Sequence, residues 1–210
     1  ALFVQDELAL TQSLMLTAGL RADNHQLFGS ELSPRAYLVW EASPALVVKG
    51  GFGHAFKAPT LKQISPNYVG AEGPHTFAGN ANIQPESSNS FEVGADWQAA
   101  PGWTLRATVF NTEVKDLITY RLLRTEGTRR FYQYDNVDAA RIRGLEAGVV
   151  WDISRAWSWS NDLTLLNTRD KTTGKKLADR PSSSLTSRLE WKNASGWSAR
   201  VAGEFTGSQT

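Results

Sequence analysis

The stretch Phe91-Glu92-Val93-Gly94-Ala95-Asp96-Trp97-Gln98-Ala99-Ala100-Pro101-Gly102-Trp103 decides the fold. Its first half alternates: Phe91, Val93, Ala95 and Trp97 point one way, and Glu92, Gly94 and Asp96 the other, the period of a strand with one apolar and one polar face. A short turn, Ala99 to Gly102, follows, and a second tryptophan stands on its far side. An indole is apolar with a single N–H donor, so it rests where hydrocarbon meets water. The arrangement recurs. Trp40 precedes Ala42-Ser43-Pro44, Trp151, Trp157 and Trp159 bracket Asp152 to Ala156, and Trp191 and Trp197 bracket Lys192 to Gly196, so all eight tryptophans lie beside short turns. A row of tryptophans at one strand end marks a membrane interface on a transmembrane barrel.

Working outward, the same period recurs in Leu14, Leu16, Ala18 and Leu20 against Thr17, Gly19 and Arg21. It continues in Leu145, Ala147, Val149 and Trp151 against Gly144, Glu146 and Gly148, and in Trp197, Ala199, Val201 and Phe205 against Ser198, Arg200 and Glu204. The expected strands number about ten: Leu2–Leu10, Leu14–Asn24, Pro34–Glu41, Leu46–Phe56, Ser90–Gln98, Trp103–Tyr120, Ala139–Trp151, Trp157–Asn167, Ser184–Lys192 and Trp197–Phe205. This pattern alone also fits a soluble antiparallel sheet on a core. The connections separate the two readings. Short turns alternate with longer connections expected at Gln26 to Leu32, Lys57 to Asn89, Arg121 to Asp138 and Arg169 to Arg180, which is the outer-membrane rule of short periplasmic turns and long extracellular loops. The predicted fold class is therefore all-β, an antiparallel transmembrane barrel. The polar face, with Arg21, Arg35, Lys49, Glu92, Arg106, Glu146, Arg188, Arg200 and Glu204, needs water or a polar plug beside it, so the barrel is expected to be large.

The chain has 210 residues, of which 41% are hydrophobic and 20% charged, a composition shared by soluble domains and barrels. No apolar run approaches the roughly 20 residues that a membrane helix needs. With no cysteine, thiolate metal sites and cysteine nucleophiles are excluded, and a net charge of +1 gives no general pull toward nucleic acid. The first residues, Ala1-Leu2-Phe3-Val4, already read as strand, with no basic and apolar leader before them. The expectation is a fragment of a longer exported chain, whose ten strands leave two open edges and do not fold alone.

Five blocks then carry a resemblance. They are Ser33-Pro34-Arg35-Ala36-Tyr37-Leu38-Val39-Trp40, Gly53-His54-Ala55-Phe56-Lys57-Ala58-Pro59-Thr60-Leu61, Gly79-Asn80-Ala81-Asn82-Ile83-Gln84-Pro85-Glu86-Ser87-Ser88, Tyr134-Asp135-Asn136-Val137 and Arg143-Gly144-Leu145-Glu146. In order and spacing they resemble the C-terminal half of the barrel of a TonB-dependent outer-membrane receptor, of the ferric catecholate (enterobactin and colicin I receptor) type. The resemblance implies that residues 1–210 are part of a 22-stranded barrel, about strands 11 to 20, with the plug domain and the remaining strands outside this sequence. It further implies TonB-energised uptake of a ferric siderophore across the bacterial outer membrane, with no enzyme activity and no cofactor of its own, iron arriving as the siderophore complex. The implied partners are the siderophore, the TonB-ExbB-ExbD complex acting through the absent parts, outer-membrane lipid and lipopolysaccharide, and colicins, with no nucleic acid.

The residues themselves support a plain reading of these blocks. Pro59 lacks a donor and holds Ala58 extended, so a strand ends there, and Pro85-Glu86 re-enters before Ser90. Glu146 reads as a lumen ion-pair partner for an arginine. For ligand, Arg121, Arg124, Arg129 and Arg130 stand among Tyr120, Phe131, Tyr132 and Tyr134, with Tyr68 in the preceding loop. Ferric tris-catecholate is a trianion with flat rings, and arginine meets both properties by charge-assisted hydrogen bonds and stacking. The plainer alternative is a solvated hairpin whose arginines meet lipopolysaccharide phosphates or acidic neighbours. Haem-uptake members of the family resemble this chain in carrying a loop histidine between two boxes. His75 occupies that place, although Lys57 and Gly79-Asn80-Ala81-Asn82-Ile83 depart from both boxes. Neither His25 nor His54 has metal-site spacing. Ser33, His25 and Asp23 could form a hydrolase set by composition only, with no strained elbow around them. A passive porin is the alternative from another class, separated by conductance without the energising complex.

Overall fold

The computed structural model describes residues 1–177 and 180–208. Ten strands form one antiparallel sheet in sequence order: β1 (Leu2–Ala9), β2 (Leu14–His25), β3 (Gly29–Ser43), β4 (Leu46–Lys57), β7 (Glu86–Ala100), β8 (Trp103–Glu126), β9 (Arg129–Asp152), β10 (Trp157–Asp170), β11 (Ser183–Lys192) and β12 (Ser198–Thr206). Between β4 and β7 lie a short helix α1 (Leu61–Ile64) and a small hairpin, β5 (Val69–Glu72) with β6 (His75–Ala78). Both outermost strands are exposed along their length and pair on one side only, so the sheet is an unclosed wall. No described helix is long and apolar enough to cross a membrane, which leaves crossing to the strands.

Partners directly opposite in an antiparallel ladder share a face, so the register settles which way each side chain points. From Arg21 opposite Ser33, through Arg35 opposite Gly53, Lys49 opposite Gly94 and Asp96 opposite Arg106, one polar face runs unbroken to Gly148, Asp162, Thr186 and Glu204. All nine charged residues assigned to the lumen lie on it. The opposite face holds Leu16, Leu38, Val93, Val109 and Leu145 in one row, and at the short-turn end it holds Trp40, Trp97, Trp103, Trp151, Trp157, Trp159 and Trp191. None of the tryptophans is buried: Trp97 is 48% and Trp197 73% exposed, and Trp103 stacks on Trp151 at 4.8 Å. A core between two sheets is thereby ruled out, and the apolar face is the lipid belt with its girdle. Of the lumen charges, Lys49 meets Asp96 at 2.8 Å and Arg200 meets Glu190 at 2.7 Å.

Two expected loops are not loops. β2 and β3 meet through residues 26–28, and β8 and β9 run on as a ladder to Glu126 opposite Arg129, turning at Gly127 and Thr128. Gly127 supplies the positive φ of 59° that a two-residue hairpin turn favours. Beyond the membrane both faces of a ladder meet water, so hydrophobic alternation fades while the hydrogen bonds continue. Of the connection expected from Arg169 to Arg180, residues 178 and 179 lie outside the described residues. The connection between β4 and β7 is long, as expected, but carries structure of its own. Pro34 falls inside β3, one residue past the point where the ladder to β4 begins at Arg35, so its missing N–H leaves that ladder intact.

Candidate functional site at the extracellular end

β8 and β9 rise past their neighbours, since β7 pairs with β8 only as far as Lys115 and β10 with β9 only as far as Ala140. The free edge of β9 is taken by β6, which adds in parallel, Thr76 opposite Phe131 and Phe77 opposite Tyr132. To do so the segment between β4 and β7 reaches past β8. Its attachment uses the sequence blocks. Asn80 Nδ2 donates to the Tyr134 carbonyl (3.1 Å) and Gln133 Nε2 to the Gly79 carbonyl (3.3 Å). Asn136 accepts from Gln84 N (2.8 Å) and donates to the carbonyls of Gln84 (3.1 Å) and Asp116 (2.7 Å). At the base, Glu86 Oε2 lies 3.3 Å from Lys57 Nζ and accepts from Ile118 N at 3.3 Å. Ile83, Val114, Tyr134 and Ala140 are the buried hydrophobic residues among those described, so the small core sits where this segment lies on β8 and β9. The blocks at Phe56, Gly79 and Tyr134 thus clasp one another, in keeping with the plain reading of them as loop-base devices.

An aromatic cluster results. Phe77 stacks on Tyr132 at 5.1 Å and meets Tyr120 edge-on at 5.3 Å, Tyr120 meets Tyr132 at 5.1 Å, and Tyr134 lies 6.3 Å from Phe77. His75 stands edge-on to Tyr132 at 6.0 Å, its Nδ1 buried without a hydrogen-bond partner. The four arginines divide. Arg121 pairs with Asp135 at 3.2 Å; Arg124 pairs with Glu126 at 2.7 Å and lies 3.9 Å from the centre of the Phe131 ring. Arg129 and Arg130, at the exposed hairpin tip, have no carboxylate within 4.0 Å among the described residues. Tyr134 is 9% exposed and supports the cluster from beneath, while Tyr68 lies over Gly70 in the β5–β6 hairpin and makes no ring contact with the cluster. Of the candidates, Arg129 and Arg130 therefore keep their charges unpaired by carboxylates among the described residues, and Tyr120, 44% exposed, is the most open ring of the cluster. Phe77, which holds the cluster together, was missed by sequence reasoning. It is an ordinary aromatic in a polar loop, and only the pairing of β6 with β9 brings it to the tyrosines.

Glu146 faces the lumen as expected and lines a recess with Arg106, Asp96 and Asp162, but closes no ion pair within 4.0 Å among the described residues. The expected arginine partner is corrected: its cross-strand neighbours are Thr108 and Thr164. Among the described residues neither Ser33 nor Asp23 makes a hydrogen bond or ion pair with a histidine; Asp23 is held by Arg21 at 2.7 Å. His54 bridges Asn89 Oδ1 (2.9 Å) and Glu31 Oε1 (3.2 Å), and no described group of three or more His, Asp or Glu is placed to hold a metal.

The family model described as TonB dependent receptor-like, beta-barrel, matches residues 1–210. The chain is 32% identical to the ferric enterobactin receptor PirA of Pseudomonas aeruginosa and 30% identical to the ferrienterobactin receptor of Escherichia coli, in each case over 100% of this chain and 30% of the relative. A solved mutant ferric enterobactin receptor (PfeA) of Pseudomonas aeruginosa, in complex with enterobactin, superposes over 99% of this chain and 32% of its own with a TM-score of 0.81 at 28% identity. The chain spans about a third of the length of the relatives it matches.

Proposed function

This chain belongs to the TonB-dependent receptor-like β-barrel family of the outer membrane, and from that membership we propose that it forms the part of a receptor that captures a ferric catecholate siderophore at its extracellular end for TonB-energised uptake. The family is one of transporters, and barrel residues act as scaffold and selectivity surface without covalent chemistry. The observation that carries the substrate class is the division of the arginines: among the described residues Arg129 and Arg130 stand without carboxylates at the tip of the hairpin whose β9 strand carries Tyr132 and, through β6, the Phe77 ring. A trianion with flat rings matches that pairing of free cationic donors with aromatic faces. The TonB-ExbB-ExbD complex and colicins belong to this proposal through parts of the receptor beyond these residues.

The test uses the full-length receptor. Replacing Arg129 and Arg130 together by alanine is expected to weaken ferric catecholate binding about 10-fold or more, since a charge-assisted hydrogen bond contributes roughly 1.5 to 3 kcal/mol. Replacing His75 should leave it unchanged. A silent arginine pair together with loss of haem-dependent growth in the His75 variant would transfer the assignment to haem, and conductance without the energising complex would make the protein a porin.

A further inference from the structure

The lipid-facing side of the wall carries a charged patch that siderophore capture does not use. Continuing the alternation of Val109 and Leu145 upward gives Asn111 and Glu113 on β8, Arg143 and Arg141 on β9, and across the next ladder Asn167 and Arg169 on β10. Lys171 follows on the same side, its Nζ 3.0 Å from Glu113 Oε2. With Lys115, exposed two residues above Glu113 on the same side of β8, five basic groups against one carboxylate leave the patch at +4. The row does not continue as a basic cluster on the other side: across from Glu113, β7 and β4 present Asn89 and His54.

Its level can be reckoned from the tryptophan girdle. Trp151 to Arg141 and Trp159 to Arg169 are each ten residues along a strand. At ~3.3 Å per residue and a tilt of about 45°, that is roughly 23 Å of height, against an apolar band about 25 Å tall. The patch therefore stands at the far interface, among the headgroups of the outer leaflet. Its internal balance is unfavourable. Arg141 and Arg169 are directly opposite each other, a like-charge pair that destabilises a sheet. Glu113 stands across from Arg141 but is taken by Lys171, and Arg141 Nε is buried with no hydrogen-bond partner. Arg143, exposed beside it, donates to Asn111 Oδ1 at 2.7 Å, which leaves its terminal nitrogens directed elsewhere.

We propose that Arg141, Arg143, Arg169 and Lys171 form a site for the phosphate of an outer-leaflet phosphorylated lipid, lipopolysaccharide, whose acyl chains lie against the apolar row below. A phosphate between Arg141 and Arg169 converts a repulsive cross-strand pair into two charge-assisted contacts and gives the buried Nε an acceptor. Leu145 and Leu165, four residues down the two strands, supply the apolar surface beneath it.

The experiment measures lipopolysaccharide retained by the full-length receptor after extraction from outer membranes and exchange into a zwitterionic detergent, with resistance to SDS as the check on folding. The R141Q/R169Q variant is expected to retain about tenfold less than the wild type. R143Q/K171Q, whose side chains are exposed and whose loss leaves the sheet undisturbed, is expected to fall in the same direction. R155Q, in a short turn at the opposite end, is expected to match the wild type. Unchanged retention in both glutamine pairs, an equal loss in R155Q, or full displacement of the lipid by inorganic phosphate alone would each overturn the site.

Discussion

At Gly144 a single hydrogen atom keeps two strands in register on the lumen side. Phe110 is its cross-strand partner and lays its ring over the glycine, and a Cβ there would meet that ring and the Leu165 carbonyl. Gly144→Val is expected to destabilise the barrel by about 1 to 3 kcal/mol, as overpacking does, read as a lowered urea midpoint of the full-length receptor in lipid. An unshifted midpoint would mean the ring is free to leave. Asp170, at the extracellular end of β10, offers a pH-dependent counterpart. The hydroxyl of Thr173 and the backbone amides of Thr172 and Thr173 hold its carboxylate ionised, below its ordinary value of 3.8. A folded-state pKa below the unfolded one stabilises the turn above the unfolded value, and that stabilisation is lost as pH falls through the folded value. Thr173→Ala should move the Asp170 titration upward, measurable by NMR of the carboxyl carbon. Facing at this scale was legible, since parity alone placed Arg21, Lys49 and Arg200 in the lumen. Pairing was not: Glu146 lies across from threonines because register and rotamer choose partners, and neither is written in a run of alternating letters.

β8 and β9 show where reading by element succeeds and where it stops. Inside the membrane one face meets lipid and the other the lumen, so hydrophobicity alternates and the strands announce themselves. Above Tyr120 that contrast is gone, and the ladder from Arg121 through Tyr134 had the look of a loop. Pro59 and Pro85 were dependable markers, because a missing donor acts wherever the strand is: β4 ends at Lys57 and β7 begins at Glu86. The docking of residues 79–84 onto β9 was out of reach, because it depends on side-chain amides more than fifty residues away in sequence. Asn136 is the centre of that docking. Asn136→Ala removes contacts to Gln84 and to the Asp116 carbonyl, and leaving such groups unsatisfied costs about 1 to 3 kcal/mol. Amide exchange over residues 79–84 should quicken about tenfold or more while exchange in β10 and β11 stays as it was. Equal protection in both proteins would show that the segment is held by Ile83 and the strand pairing alone.

For the whole molecule, the two uncovered edges set the terms. β1 and β12 each expose an unpaired row of backbone donors and acceptors, which hydrocarbon does not tolerate. Expressed alone, residues 1–210 are expected to aggregate or to yield no SDS-resistant, lipid-inserted species, while the same residues within the full receptor do; a stable inserted fragment would contradict this. Nitroxide labels at Lys49, Glu92, Glu146 and Arg188 in the full receptor should report water, and labels at Val93, Val109 and Leu189 lipid. The strap formed by β6 also carries a consequence for the order of assembly. Most neighbouring strands of the wall are joined by short connections and can zip as each hairpin emerges, whereas joining Phe77 to Tyr132 means closing a far longer loop onto β9. By loop closure the extracellular strap is expected to set last and to release first, a latch carried on the barrel wall.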